Sequence, residues 1–144
     1  MITVIKSPFV QYKLTILRNK KTSNTVFRQT MNEISYLIAS DVLQYVPFKK
    51  QTIETPLKKM SGTALGQPII LVPILRAGLG LLEGFAKFLP EAEKGHIGLY
   101  RDEQTYEPVE YLFKLPRVKN KKVLILDPMS VSYTHLTLPT IAIV

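Results

Sequence analysis

The clearest pattern along the chain is a stripe of apolar residues, Phe27, Met31, Ile34, Ile38, Val42 and Tyr45, recurring at spacings of three and four. That period puts them on one face and predicts a helix over 22–46, with Ser23 or Asn24 able to cap its start and Pro47 to stop it. A shorter helical pattern, 10–18, precedes it. Residues 48–68 are polar and interrupted by Pro56, Gly62, Gly66 and Pro68, which predicts short strands joined by turns.

From Ile69 the pattern changes. Ile69–Leu75 is a continuous apolar run, the mark of a strand buried on both faces. Arg76, Ala77 and Gly78 end it. Residues 79–89 then read as a helix, with Leu81, Leu82, Phe85 and Phe88 at near-helical spacing and Pro90 as the stop. His96–Arg101 is the next strand. Strand, glycine turn, helix and strand make a βαβ unit, so the sheet is expected to be parallel and its crossover right-handed. Residues 96–116 suit a long hairpin arm, in which Val109, Tyr111 and Phe113 alternate with Glu110, Leu112 and Lys114 as in a half-exposed strand. Residues 121–126 form another buried strand, closed by Asp127 and Pro128. The fold class is α/β.

At 144 residues, 46% of them hydrophobic, the chain can bury one sizeable core. Cysteine is absent, which excludes disulfides, thiolate metal sites and cysteine nucleophiles. Charge interrupts every early apolar run, unlike a signal peptide, and no run approaches the roughly 18 apolar residues of a membrane span. A soluble, cytoplasmic protein without a membrane partner is expected. The net charge of +8 raises nucleic acid as a partner. The basic residues are dispersed, however, as in Arg18 with Lys20 and Lys21, Lys49 with Lys50, Lys58 with Lys59, and Lys119 with Lys121 and Lys122. Solvated surface explains them, and a phosphorylated small substrate accounts for the remainder as well as RNA or DNA would.

In an open parallel sheet, ligands bind outside the carboxyl ends of the strands. Arg76, Arg101 and Asp127 fall at three such ends. Alone, either arginine is a surface cation and Asp127 a turn former before proline. Together they suit a phosphorylated sugar. Guanidinium groups grip phosphate oxygens bidentately at about 1.5–3 kcal/mol per charge-assisted bond, and a carboxylate accepts from ribose hydroxyls.

These residues lie in long strings: VPILRAGLG at 72–80, GHIGLYRD at 95–102 and VLILDPM at 123–129. Across nearly all of residues 1–129 the chain resembles the uracil phosphoribosyltransferases. The resemblance implies a parallel-sheet phosphoribosyltransferase-like fold, incomplete, with N-terminal helices and a β-hairpin arm. It implies a transferase that joins uracil to the ribose of phosphoribosyl diphosphate, giving UMP and diphosphate in pyrimidine salvage. Arg76 and Arg101 match that family's binders of phosphoribosyl diphosphate, and Asp127, Pro128 and Met129 match the opening of its D-P-M-x-A-T-G-G-S loop. The arginines are expected to stabilise charge growing on the leaving diphosphate, and Asp127 to hold the ribose hydroxyls. Magnesium is expected on the substrate diphosphate rather than in a protein cage. A homodimer or higher homo-oligomer, built partly from the arm, is implied too.

The chain departs from the family where the loop continues. Val131, Ser132, Tyr133, Thr134 and His135 stand where the pattern reads A-T-G-G-S, and residues 128–144 contain no Lys, Arg, Asp, Glu or Gly. Such a loop presents backbone N–H groups to phosphate at a helix start, with glycines allowing the approach. We therefore expect 1–129 to be the N-terminal part of the domain, 130–144 to be an atypical tail foreign to it, and the chain as given to be inactive. A non-catalytic fragment that associates through 96–116 is the alternative.

Gly78, Gly80 and Gly84, with Asp102 after the next strand, form a weak dinucleotide-binding pattern. His96 is assigned a structural role, and two distant histidines make no metal site. Asp127, Ser132 and His135 lie too close on one stretch to converge as a triad. A basic nucleic-acid-binding module ranks below these readings. Tyr100, Tyr106 and Tyr111 suit a dimer contact better than base stacking.

Overall fold

The structure is a computed structural model and describes residues 4–105 and 107–128. Its helices are α1 (Pro8–Arg18), α2 (Asn24–Val42) with a 3-10 turn (Leu43–Tyr45) beyond it, and α3 (Leu79–Phe88). Its strands are β1 (Phe48–Glu54), β2 (Lys59–Leu65), β3 (Ile69–Leu75), β4 (Glu93–Lys94), β5 (His96–Arg101), β6 (Pro108–Lys114) and β7 (Lys122–Leu126).

The two N-terminal helices begin where serine caps permit. The Ser7 hydroxyl accepts from the Val10 N–H and the Ser23 hydroxyl from the Val26 N–H. An ion pair of 2.6 Å between Lys13 and Glu33 ties α1 to α2. Glu33 also accepts from the Gln29 amide at 3.1 Å. These donors, that of Lys13 foremost, hold its carboxyl below the ordinary range.

β3 is the axis of the sheet. β7 runs parallel along one side of it, from Ile69 opposite Lys122 to Pro73 opposite Leu126. On the other side, β4 pairs with Ile70 and Leu71, and β5 with Ile74 and Leu75, both parallel. β6 is antiparallel to β5, so a parallel centre carries an antiparallel edge. β4 was not foreseen, because two charged residues show no strand period. The continuous apolar run of β3 arises because both of its faces are covered. Ile69 and Leu71 pack with Leu81, Phe85, Leu124 and Leu126 under the helices, while Ile70, Val72 and Ile74 join Ile97 and Ile125 on the opposite face. Fully burying one such side chain stabilises the fold by about 1.5–3 kcal/mol.

Helix α3 crosses the first of these faces and packs on α2 through Gly84. A Cβ there would strike Ser35 and the Tyr36 nitrogen. This close approach shifts the buried stripe of α2 to Thr30, Ile34, Ser35 and Ala39, leaving Phe27 exposed, with Tyr45 exposed in the 3-10 turn beyond.

Residues 48–65 form one hairpin, its strands in register from Phe48 opposite Leu65 to Glu54 opposite Lys59. In the arm, Tyr111 and Phe113 are exposed while Leu112 is half-buried. The expected inward face of β6 is thus no better covered than its other face. The register shift at Gly98 and Leu99 interrupts the alternation there.

Candidate functional site

Parallel pairing decides which residues share the carboxyl rim. β3 and β7 run level to Pro73 and Leu126, so Asp127 leaves the sheet beside Ile74, two residues before Arg76. Asp127 is buried and Pro128 half-buried. On the other flank, Leu75 faces Gly98. Arg101 stands three residues farther along β5, opposite Pro108 in the stretch paired with β6. At roughly 3.3 Å per residue, that sets it about 10 Å outward along the strand. The topology brings Arg76 and Asp127 to adjacent strand ends, and places Arg101 at the same end of the sheet but out on the arm. Met129 lies outside the described residues, as do Ser132 and His135 of the triad considered above.

The turn that carries Arg76 is tightly organised. The peptide bond between Leu75 and Arg76 is cis. The Gly78 N–H donates to the Ile74 carbonyl at 2.8 Å, and the Leu79 N–H to the Arg76 carbonyl at 3.2 Å. Gly78 has no room for a side chain: a Cβ would overlap the Leu126 carbonyl oxygen and the Ile74 backbone. With its backbone so fixed, Arg76 exposes its side chain, which forms no ion pair among the described residues. An exposed guanidinium on a rigid turn is suited to an anionic ligand.

The three glycines of the weak dinucleotide pattern have packing duties instead. Gly78 lies on β3 and β7, Gly80 faces Met31, and Gly84 lies on Ser35. Asp102 is also occupied. Its carboxylate accepts from the N–H groups of Thr105 at 2.8 Å and Gln104 at 2.9 Å, and from the Thr105 hydroxyl at 3.1 Å. The Thr105 N–H, then the Gln104 N–H and the Thr105 hydroxyl, hold this carboxyl below its ordinary range. It builds the arm's turn. His96 is half-buried in β5, opposite Lys114, consistent with a structural role. Among the described residues no group of three or more His, Cys, Asp or Glu could hold a metal. No helix there is long and apolar enough to cross a membrane.

An open cleft of about 1030 Å³ adjoins the rim. Ala77, Leu79 and Pro128 form its near side, while Phe27, Arg18 and Arg28 stand opposite. Sequence reasoning assigned Arg18 to dispersed surface charge and missed the cleft. Helical periods report faces, and this cavity depends on which helices become neighbours. A smaller cavity of about 390 Å³ lies between the base of the β1–β2 hairpin and the end of α3, away from the rim.

A family model described as uracil phosphoribosyltransferase matches residues 4–132. Proteins named uracil phosphoribosyltransferase from Levilactobacillus brevis and Lactiplantibacillus plantarum are each 46% identical over 128 residues, covering 88% of this chain and 61% of the relative. One from Streptococcus mutans is 45% identical over the same length. The solved structure of a protein from Aquifex aeolicus superposes with a TM-score of 0.81 at 33% identity, over 89% of this chain and 62% of that one. The chain thus spans about 61% of the length of the curated relatives it matches.

Proposed function

Because this chain belongs to the uracil phosphoribosyltransferase family, we propose that the protein transfers a phosphoribosyl group from 5-phospho-α-D-ribose 1-diphosphate to uracil. A bond forms between carbon 1 of the ribose and a uracil ring nitrogen, and the bond from that carbon to diphosphate breaks. The nitrogen's proton passes to solvent, and the products are UMP and diphosphate. The observation that carries this reading is the exposed Arg76, on a turn locked by Gly78, at the strand end next to buried Asp127.

Arg76 binds the diphosphate and stabilises its growing charge as it departs. Arg101 closes on the same group from the arm. Asp127 accepts from the ribose hydroxyls and favours the cationic sugar. Pro128 and Met129 open the loop whose backbone N–H groups hold the 5′-phosphate. Magnesium belongs to the substrate: a hard, well-hydrated ion prefers diphosphate oxygens and brings its own waters. None of these residues acts as a proton-transfer catalyst. The reaction belongs to cytoplasmic pyrimidine salvage, carried out by a homodimer or higher homo-oligomer, with nucleic acid playing no part.

Tyr133 and Thr134 stand where two glycines are needed, so the chain as given turns over poorly or not at all. The test measures UMP from labelled uracil and phosphoribosyl diphosphate. One arm uses this chain. The other uses a version carrying Val131→Ala, Ser132→Thr, Tyr133→Gly, Thr134→Gly and His135→Ser, extended by the C-terminal segment of a relative. Turnover by the restored form alone is expected. Turnover by both would overturn our account of residues 130–135, and failure of both to bind phosphoribosyl diphosphate would overturn the assignment.

A further inference from the structure

Of the two arginines at the rim, Arg101 is the one held outside the body of the sheet. β5 meets β3 at Ile97 and Gly98, opposite Ile74 and Leu75. After a register shift between Gly98 and Leu99, the residues Leu99, Tyr100 and Arg101 pair with Glu110, Val109 and Pro108 of β6. Arg101 ends β5, so it stands at the tip of a two-stranded ribbon. Such a ribbon is marginal by itself in water, and ends fray first. The place of the Arg101 backbone therefore depends on how firmly the turn beyond it is closed.

That turn is built on one carboxylate. Oδ1 of Asp102 accepts from the Gln104 N–H at 2.9 Å, the Thr105 N–H at 2.8 Å and the Thr105 hydroxyl at 3.1 Å. The same hydroxyl accepts from the Glu107 N–H at 3.3 Å. The Asp102 N–H donates to the Glu107 carbonyl at 3.0 Å, and this is the rung next to the Arg101–Pro108 pair. Residues 102, 104, 105 and 107 are thus tied into one network that begins at the residue after Arg101.

On charge alone an acid is out of place at this point. A carboxylate one residue from a guanidinium that binds diphosphate repels the same ligand. Glutamine or serine would avoid the repulsion, but neither offers one ionised oxygen to three donors, and bonds to an ionised acceptor are the stronger ones.

We infer that Asp102 is a positioning residue, whose carboxylate closes the arm's turn and thereby fixes where Arg101 meets the substrate. The inference rests on the proposed binding of phosphoribosyl diphosphate by Arg101, and it adds the residue that holds that arginine in place. Asp102 itself does not touch the substrate. Charge and position then predict opposite signs for its removal. An acid that only repels the anion strengthens binding when it is lost, whereas one that holds Arg101 weakens binding.

The test is a double-mutant cycle on Asp102→Ala and Arg101→Ala, read as calorimetric affinity for phosphoribosyl diphosphate with magnesium. It is run in the full chain and in the restored form described above. Arg101→Ala is expected to weaken binding roughly 10- to 150-fold. Asp102→Ala is expected to weaken it about three- to thirtyfold, and the double variant should match Arg101→Ala alone within about twofold. Asp102→Asn keeps an acceptor for the two N–H groups and should recover part of the loss. Thr105→Val removes only the hydroxyl from the network and should weaken binding in the same direction, by less. Thermal midpoints close to that of the parent show that the variants fold.

Unchanged or tighter binding in Asp102→Ala, with weaker binding in Arg101→Ala, removes the inference and leaves the proposed function standing. Additive losses in the double variant would mean that Asp102 acts independently of Arg101, and the inference would be wrong. Parent affinity in Arg101→Ala removes Arg101 from the site, and the positioning role falls with that part of the proposed function.

Discussion

Gly78 lies directly against the carbonyl oxygen of Leu126, closely enough that neither residue tolerates an atom between them. The contact joins the turn presenting Arg76 to the strand that ends in Asp127, so the spacing of the two candidate ligand groups is set through backbone. Gly78→Ala places a methyl group onto three backbone atoms, those of Leu126 and Ile74, which cannot swing aside as a side chain does. We expect a loss of about 1–3 kcal/mol of stability or more, read as a lower urea midpoint. Weaker binding of phosphoribosyl diphosphate should accompany it. A variant of full stability would show that the turn relaxes easily and that the spacing is not fixed there.

Arg76 should matter for binding and not for folding. Its side chain is exposed and forms no ion pair among the described residues, so Arg76→Ala should leave the thermal midpoint nearly unchanged. Losing charge-assisted bonds to diphosphate, at about 1.5–3 kcal/mol each, should lower affinity for phosphoribosyl diphosphate roughly 10- to 150-fold by calorimetry. Arg76→Lys should recover only part of this, because an ammonium cannot present a planar pair of donors. Unchanged affinity in Arg76→Ala would remove Arg76 from the site.

The arm's turn should depend on pH through Asp102. Its carboxyl is held below the ordinary aspartate range by the Thr105 and Gln104 N–H groups and the Thr105 hydroxyl. A depressed folded value means that the ionised form favours the turn. This contribution is fully present above the unfolded value, near 4, and is lost as pH falls through the lowered folded value. Protection of the Gln104 and Thr105 amides, measured by NMR as exchange relative to the intrinsic rate at each pH, should therefore be high at neutral pH and fall under acid conditions. Asp102→Asn should lower that protection at neutral pH and make it nearly independent of acid. Equal exchange in both proteins would mean that the carboxylate does not hold the turn.

Much of this was legible in the residues because local chemistry set it. The run Ile69–Leu75 read as a strand covered on both faces, and its two faces do join separate apolar clusters. Ser23 or Asn24 before the apolar stripe marked the start of α2, and Ser23 is the residue that caps it. The strings around Arg76, Arg101 and Asp127 identified the family. What escaped notice depended on neighbours. The stripe through Phe27 and Tyr45 gave the period of α2 correctly, yet contact centres on Ser35 and Ala39, since Gly84 allows α3 to approach at those small residues. The outward offset of Arg101 follows from a register in which β5 meets β3 only at Ile97 and Gly98, and no single-strand pattern encodes such a register. The short strands expected over 48–68 are the β1–β2 hairpin, whose polar, broken sequence is how strands with mostly exposed faces look.

The same dependence on neighbours predicts opposite outcomes for one substitution at two positions of α3. In an isolated helix, replacing glycine by alanine gains up to about 1 kcal/mol. At Gly80 the new methyl would meet the Met31 side chain, a flexible group that can move. Gly80→Ala should therefore be neutral or slightly stabilising. At Gly84 the methyl would meet the Ser35 hydroxyl, the Ser35 carbonyl carbon and the Tyr36 nitrogen, and two of these three atoms are backbone. Separating α2 from α3 uncovers apolar surface around Phe85 and Ala39, which are fully buried. That cost, on the order of 1–3 kcal/mol or more, exceeds the gain in propensity, so Gly84→Ala should lower the urea midpoint. Combining it with Ser35→Ala removes only the hydroxyl overlap and should restore little. Equal effects at positions 80 and 84, or full recovery in the double variant, would show that backbone proximity between Gly84 and Ser35 does not set how these helices pack.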